Sequence, residues 1–281
     1  MRRPLKAIAD ALGVARSNLM ERLSGRNLRV RGCYEKRDAE LLAEIHEVID
    51  TRGSYGYRRV TALVNRARAA RSLHGRVNPK RTYRVMREAG LLLARCTGRV
   101  TPTHDGKVIT FKSNLRWCSD AFEIRCWSGE RVQVAFALDC CDREVMTYVA
   151  TSGAITGEMV RDLMVESVEQ RFGAGARRTS HAVQWLSDNG PPYTAHPTRE
   201  LGRSLGLVVC TTPAYSPESN GMAESFVKSF KRDYVYLHRL DDAASVMRQL
   251  ATWFEDYNEY APHKGLNFRS PREYRRLQQT A

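Results

Sequence analysis

The chain has 281 residues, 42% of them hydrophobic and 9% aromatic, enough for a packed core and incompatible with an intrinsically disordered protein. Its formal net charge of +14 favours an anionic partner, nucleic acid or a membrane surface, and no apolar stretch approaches transmembrane length. The length suits one large domain or two unequal ones, and the charge divides them: residues 1–112 carry 25 Lys/Arg against 10 Asp/Glu, the remainder 20 against 21. This reads as a basic, nucleic-acid-gripping part followed by a near-neutral globular part, although a merely soluble basic surface would give the same count. Seven cysteines without a CxxC pair or a signal peptide argue for reduced, structural thiols, not a disulfide framework or zinc site, in a cytosolic protein.

In chain order, residues 4–23 read as two short helices around a turn at Gly13, with Ser17 as an N-cap and Arg2, Arg3, Lys6, Arg16, Arg22 and Arg26 around them. Such a hairpin resembles a helix-turn-helix, a weakly specific pattern. Residues 37–93 form a clearer three-helix unit. Leu41, Leu42, Ile45, Val48 and Ile49 keep a helical period, Val60, Leu63 and Val64 mark a second helix, and Asn78-Pro79 opens a third that Gly90 ends. On that third helix Lys80, Arg84 and Arg87 fall at i, i+4 and i+7, the stripe a recognition helix would turn to DNA or a solvated face would turn to water. Residues 94–112 read as a linker.

From 113 the period changes to two. Leu115–Ile124, Arg131–Cys140 and Glu144–Thr151 read as consecutive strands of an antiparallel meander. Gly157–Phe172 follows as a helix, then a strand at Ala182–Leu186, a helix at Pro197–Leu205, a strand at Leu207–Cys210, a polar loop at Tyr215–Gly221, and helices at Met222–Leu237 and Ser245–Tyr260. The order βββ-α-β-α-β-α matches an α/β ribonuclease H-like fold, a mixed five-stranded sheet flanked by helices, here preceded by all-α modules.

Three carboxylates fall where this fold can gather them. Asp120 lies mid-strand, Asp188 just past the end of a strand, and Glu224 opens a helix, with 35 residues between it and Asp188. A mid-strand acid is costly to bury without compensation. Divalent cations would compensate three acids at once, and hard oxygen ligands suit Mg²⁺ or Mn²⁺. Two such ions about 3.5–4 Å apart serve in-line phosphoryl displacement. Taken alone, Asp120 reads as readily as a strand-edge residue or half of a salt bridge. Asp139 and Asp142 compete for the first position from a turn where solvated acids are ordinary, and Glu218 competes for the third. Lys228 and Lys231 share a face with Glu224 and are placed to contact DNA, unless they form solvated intrahelical pairs.

The segments Trp117-Cys118-Ser119-Asp120, Ser187-Asp188-Asn189-Gly190 and Ser216-Pro217-Glu218-Ser219-Asn220-Gly221-Met222-Ala223-Glu224, with Lys228 and Lys231, resemble the catalytic core of retroviral-integrase-like DDE transposases. The chain most resembles the second-frame protein of the insertion-sequence-three family, in its insertion-sequence-two branch. Tyr55-Gly56-Tyr57-Arg58-Arg59 looks like the turn of that family's helical DNA-binding domain. Tyr257-Asn258, Pro262-His263 and Ser270-Pro271-Arg272-Glu273-Tyr274 look like its C-terminal signature. The resemblance spans roughly residues 37–275. It implies catalytic and metal-binding roles for Asp120, Asp188 and Glu224 with two divalent ions, Mg²⁺ or Mn²⁺. It also implies DNA contacts from Lys228 and Lys231; Asn189, Asn220, Tyr55, Tyr57, Arg58 and Arg59 are added to these from the matching motifs. Further implications are binding to inverted-repeat element ends and target DNA, an upstream-frame helix-turn-helix and leucine-zipper protein as fusion or partner, and oligomers on DNA. Pro191-Pro192 departs from the freer loop expected after Gly190.

The expected organisation is a helix-turn-helix-like segment at 1–30, a three-helix DNA-binding domain at 37–93, a linker at 94–112, and a catalytic domain with a helical extension at 113–281. The expected activity is DNA cleavage followed by joining of the 3′ ends, in the bacterial cytoplasm at the nucleoid. A ribonuclease H-like nuclease that only hydrolyses would carry the same acids, and a non-catalytic DNA-binding regulator would explain the basic N-terminal part alone.

Overall fold

The computed structural model describes residues 4–23, 38–72, 75–94, 110–212 and 221–279. It divides into two compact units, 1–44 and 45–281. In the first, α1 (Leu5–Ala11) and α2 (Arg16–Leu23) flank a turn where Gly13 takes φ 62°. Ser17 is inside α2 and is no N-cap, because the Leu19 N–H already bonds the Ala15 carbonyl. The rest of the 1–30 segment and linker residues 95–109 lie outside the described residues.

Helix α3 (Asp38–Thr51) carries the boundary between the units, and α4 (Tyr57–Ala70) and α5 (Pro79–Glu88) complete the three-helix pattern. The Asn78 side chain accepts from the Lys80 N–H at 2.8 Å, and Pro79 supplies the first helical residue, as the Asn-Pro pair predicts. Asn65 pairs with Val77 through two bonds, 3.0 Å to its carbonyl and 2.7 Å from its N–H, which fixes the approach to α5 against α4.

Five strands follow: β1 (Arg116–Arg125), β2 (Arg131–Asp139), β3 (Val145–Thr151), β4 (Val183–Ser187) and β5 (Leu207–Thr211). They form one sheet in the order β3-β2-β1-β4-β5. Short turns make β1, β2 and β3 an antiparallel meander, whereas β4 pairs parallel to β1 after the α6 crossover (Gly157–Phe172). The strands obey period two. On β2, Val132, Val134, Phe136 and Leu138 join one core with Phe122, Phe226, Phe230, Trp253 and Phe254, while Ala135 and Ala137 join the other with Trp117, Trp185, Val160, Leu163 and Met164. Helix α8 (His196–Ser204) approaches β5 so closely that a Cβ on Gly202 would lie 2.7 Å from Val209 Cγ2.

Two elements differ from the sequence reading. Pro191–Thr194 forms a short helix, α7, since proline fits the first turn of a helix. Helix α9 spans Gly221–Asp233, and a 3₁₀ turn, not a continued helix, covers Val235–Leu237, because Tyr234 leaves helical geometry at φ −126°. Helix α10 (Ala243–Glu259) is followed by α11 (Pro271–Gln279), the helical extension. No helix among the described residues is long and apolar enough to cross a membrane. The described cysteines are free thiols.

The helical module is tied to this domain by charges within the second unit. Arg52 donates to both oxygens of Asp256 on α10, and Tyr234 Oη donates to the same carboxylate at 2.7 Å. Ser54 Oγ and Arg59 Nη1 donate to Asp233, the last residue of α9, at 2.6 and 2.8 Å. Burial works to raise the Asp233 pKa, but the bonds from Arg232 and the Arg59 charge outweigh it and hold the carboxyl below its usual range.

The acids expected to be solvated at the β2–β3 turn are buried. Asp139 accepts from the N–H groups of Asn114 and Cys141, both at 2.7 Å, and from Trp117 Nε1 at 3.2 Å. Asp142 takes a two-pronged bond from the fully buried Arg171 of α6, at 2.8 and 3.0 Å, and Arg171 reaches Glu144 at 3.3 Å. These acids close the turn and are not open to solvent or to a substrate. Arg171→Ala leaves the buried Asp142 without its cation, while Glu144 keeps Arg272 and Arg275, and should cost about 3–5 kcal/mol in urea unfolding, against under about 1 kcal/mol for exposed Arg125→Ala. Equal losses would contradict the network's role.

Candidate active site

The pairing of β1 with β4 places the two aspartates. Trp117 is opposite Trp185 and Cys118 opposite Leu186, so the same parallel register, continued by two residues, brings Asp120 level with Asp188. Alternation sends Asp120 to the face that carries Cys118 and Phe122, the face covered by α9. The first turn of α9 carries Glu224, and its Ala223, Phe226 and Phe230 pack on that same face. The three acids of the sequence reading therefore converge.

Electrostatics records the convergence. Burial, then the negative charges of Asp188 and Glu224, push the Asp120 carboxyl up to about 6, against the bond it accepts from the Ala121 N–H at 2.8 Å. Asp188 Oδ1 accepts from the Gly190 N–H at 3.1 Å, which shapes the turn after β4. Glu224 Oε2 accepts from Lys228 Nζ at 3.1 Å. These bonds use one oxygen of each carboxylate. Among the described residues no three His, Cys, Asp or Glu side chains form a ready-made ion cage. The donor set, three hard carboxylates of which Asp120 is partly desolvated, nevertheless fits Mg²⁺ or Mn²⁺ chemically.

Two residues behind the acids were not foreseen. Ser119 Oγ donates to Tyr193 Oη at 3.1 Å, both buried, which ties β1 beside Asp120 to α7 beyond Asp188. Burial holds the Tyr193 hydroxyl well above its ordinary pKa despite that bond, and the charges of Asp120 and Asp188 add to the effect. A tyrosine after two prolines carries no sequence signal for this contact.

The remaining sequence candidates spread over several places. Lys228 is exposed, whereas Lys231 is half-buried with Nζ 5.6 Å from the centre of the Phe122 ring, and burial lowers its pKa. Asn189 Nδ2 donates to the Thr212 carbonyl at 2.8 Å and so braces the end of β5. Asn220 and Glu218 lie outside the described residues. Tyr55 is buried beneath Arg59, whose guanidinium stands 3.4 Å over its ring, so this pair belongs to the seam at Asp233. Tyr57 meets Tyr83 edge-on at 5.1 Å, and Arg58 is exposed and reaches over Tyr57. On α5, Thr82, Val85 and Met86 face inward; Lys80 and Arg87 are exposed, and Arg84 lies 3.8 Å from Glu88.

Residues 112–217 and 206–271 match two family models, each described as an integrase core domain, and residues 35–100 match an HTH-like domain. The transposase InsD for insertion element IS2A/D/F/H/I/K of Escherichia coli is 48% identical over 242 residues, 85% of this chain and 79% of its own. The same figures hold for the InsD transposase of IS2D in Escherichia coli strain K12. Among solved structures, the Mos1 transposase catalytic domain with Raltegravir and Mg is 20% identical over 50% of this chain and 71% of its own, at a TM-score of 0.43. The catalytic core domain of BIV integrase is 22% identical over 59% and 97%, at 0.41. With an integrase core on a mixed five-stranded sheet and this identity to InsD, the chain belongs to the IS2 InsD transposases, DDE enzymes of the polynucleotidyl transferase type.

Proposed function

We propose that Asp120, Asp188 and Glu224 are the catalytic acids of this transposase and that they hold two divalent ions, Mg²⁺ or Mn²⁺. The observation that carries this reading is the β1–β4 register, which sets Asp120 level with Asp188 while the Glu224 charge acts on Asp120. When bound, the ions would polarise the scissile phosphate and favour the attacking oxygen as its anion. The residues of the chain do the rest. Asp120 and Asp188 sit on paired strands and offer a fixed edge, and Glu224 approaches from a helix start. Lys228 would pass from Glu224 to a DNA phosphate, with Lys231 and the Asn189 turn further along the strand.

The substrate in this reading is DNA: the inverted-repeat ends of an element, cleaved to a free 3′-hydroxyl that then attacks target DNA. The helices over 37–93 grip the ends, with Lys80, Arg84 and Arg87 outermost, and the domain from about 113 performs the chemistry. A second copy on DNA, an upstream-frame helix-turn-helix and leucine-zipper partner, and a place at the bacterial nucleoid in the cytoplasm complete the proposal.

Asp120→Asn, Asp188→Asn and Glu224→Gln should each lower cleavage of a labelled end by about 10³-fold or more, matching the effect of EDTA, while DNA affinity stays nearly unchanged. Near wild-type cleavage by any of them would show that acid to be wrongly chosen. The raised Asp120 pKa sets a pH dependence as well. Protons compete with cations for its carboxylate, so cleavage should fall as pH drops through about 6. Tenfold more Mg²⁺ should move that midpoint down by up to about one pH unit, and a midpoint indifferent to Mg²⁺ would contradict Asp120 as a ligand.

A further inference from the structure

A groove of about 860 Å³ runs between α4, the approach to α5 and the turn before α11; Arg58, Arg66, Arg76, Phe268, Arg269 and Glu273 are among the residues that line it. Its one acid is already taken: Glu273 accepts from Arg66 Nη2 at 2.8 Å, and Arg66 Nη1 donates to the Tyr260 carbonyl at 3.0 Å. Arg58, Arg76 and Arg269 pair with no carboxylate among the described residues. Three unneutralised guanidinium groups around one groove repel each other unless an anion joins them.

The turn that carries Arg269 is held in an unfavourable shape. Asn267 and Phe268 both adopt left-handed backbone, φ 54° and 61°, and a bulky aromatic rarely does so. The turn is locked there by the His263 N–H to the Arg269 carbonyl at 3.0 Å and the Phe268 N–H to the His263 carbonyl at 2.8 Å. On the opposite wall, the two hydrogen bonds between Asn65 and Val77 fix the backbone next to Arg76. Both walls present their arginines from rigid supports.

A second depression, of about 710 Å³, shares Arg58, Asn78 and Pro79 with the first and continues past Lys80 and Tyr83. The trough therefore leads from Arg269 to the basic helix α5. We infer that the turn 263–269 of the catalytic domain's C-terminal extension is a DNA-contacting element, and that Arg76 and Arg269, with Arg58 between the two depressions, grip the phosphodiester backbone of the duplex that α5 faces. Guanidinium forks suit phosphate oxygens, and such contacts are independent of sequence. The inference rests on the proposed DNA-binding role of the helices over 37–93 and extends it to a residue of the catalytic part.

The test uses the full chain, a fluorescein-labelled duplex of about 40 base pairs of arbitrary sequence, and anisotropy titrations over a range of salt. Arg76→Ala with Arg269→Ala should weaken binding about tenfold near 0.1 M salt and reduce the slope of log K against log salt by about 1.8, two phosphate contacts' worth. Arg76→Lys with Arg269→Lys should restore most of the slope, and all variants should melt with the wild type. Lys80→Ala with Arg87→Ala provides the control on α5. Loss of slope in that control, with wild-type slope in the Arg76/Arg269 alanine variant, would overturn this inference alone. A wild-type chain that bound the duplex without salt dependence would sink the DNA-binding reading beneath it.

Discussion

The parallel pairing of β1 with β4 is the constraint on which the site depends. Had β4 joined the meander beside β3, Asp188 would stand on the far edge of the sheet from Asp120. Beside β1 instead, the two acids come level by register alone. The matched tryptophans Trp117 and Trp185, 6.4 Å apart and edge-on, fill the core beneath that pairing and resist a one-residue slip that would turn Asp188 to the face opposite Asp120. The Ser119–Tyr193 bond extends the constraint past the last paired residue, to the loop that Asp188 begins.

Helix α9 then connects the proposed catalytic edge to the helical module. Its first turn holds Glu224 and its last residue, Asp233, accepts from Ser54 and Arg59 of the helical module. The aromatic ladder Phe226, Phe230 and Phe254 fixes the helix against the sheet between those ends. A displacement of α4 relative to the sheet would thus act on the far end of the helix that carries the third acid. The basic groove also borders α4 and reaches Glu273 of α11, so the same three-helix module meets the catalytic part through paired charges at one place and, at another, presents arginines with no carboxylate partner among the described residues.

Much of this was legible in the sequence. Period-two alternation located β1 to β3 within a residue, and the gap from Asp188 to Glu224 was readable without knowing the sheet order. The Asn-Pro pair located the start of α5. What escaped was set by tertiary context. Asp139 and Asp142 look like turn acids locally, yet Arg171 arrives from a helix 29 residues away from Asp142 and allows both to be buried. Tyr55 and Arg59 look like exposed DNA contacts in a basic segment, yet Asp233, 174 residues beyond Arg59, draws them inward. Charge periodicity reports which residues share a face; it says nothing of a partner that far along the chain.

In the proposed site, Asp120 and Asp188 form one cation-binding edge which Glu224 joins. Crystals of the chain soaked in MnCl₂ and measured at a wavelength where manganese scatters anomalously would test it most directly. The expected result is an anomalous peak within about 2.0–2.6 Å of oxygens from both Asp120 and Asp188, with Glu224 turned from Lys228 toward it. A peak held by other acids, with Asp120 and Asp188 bare at saturating manganese, would contradict it.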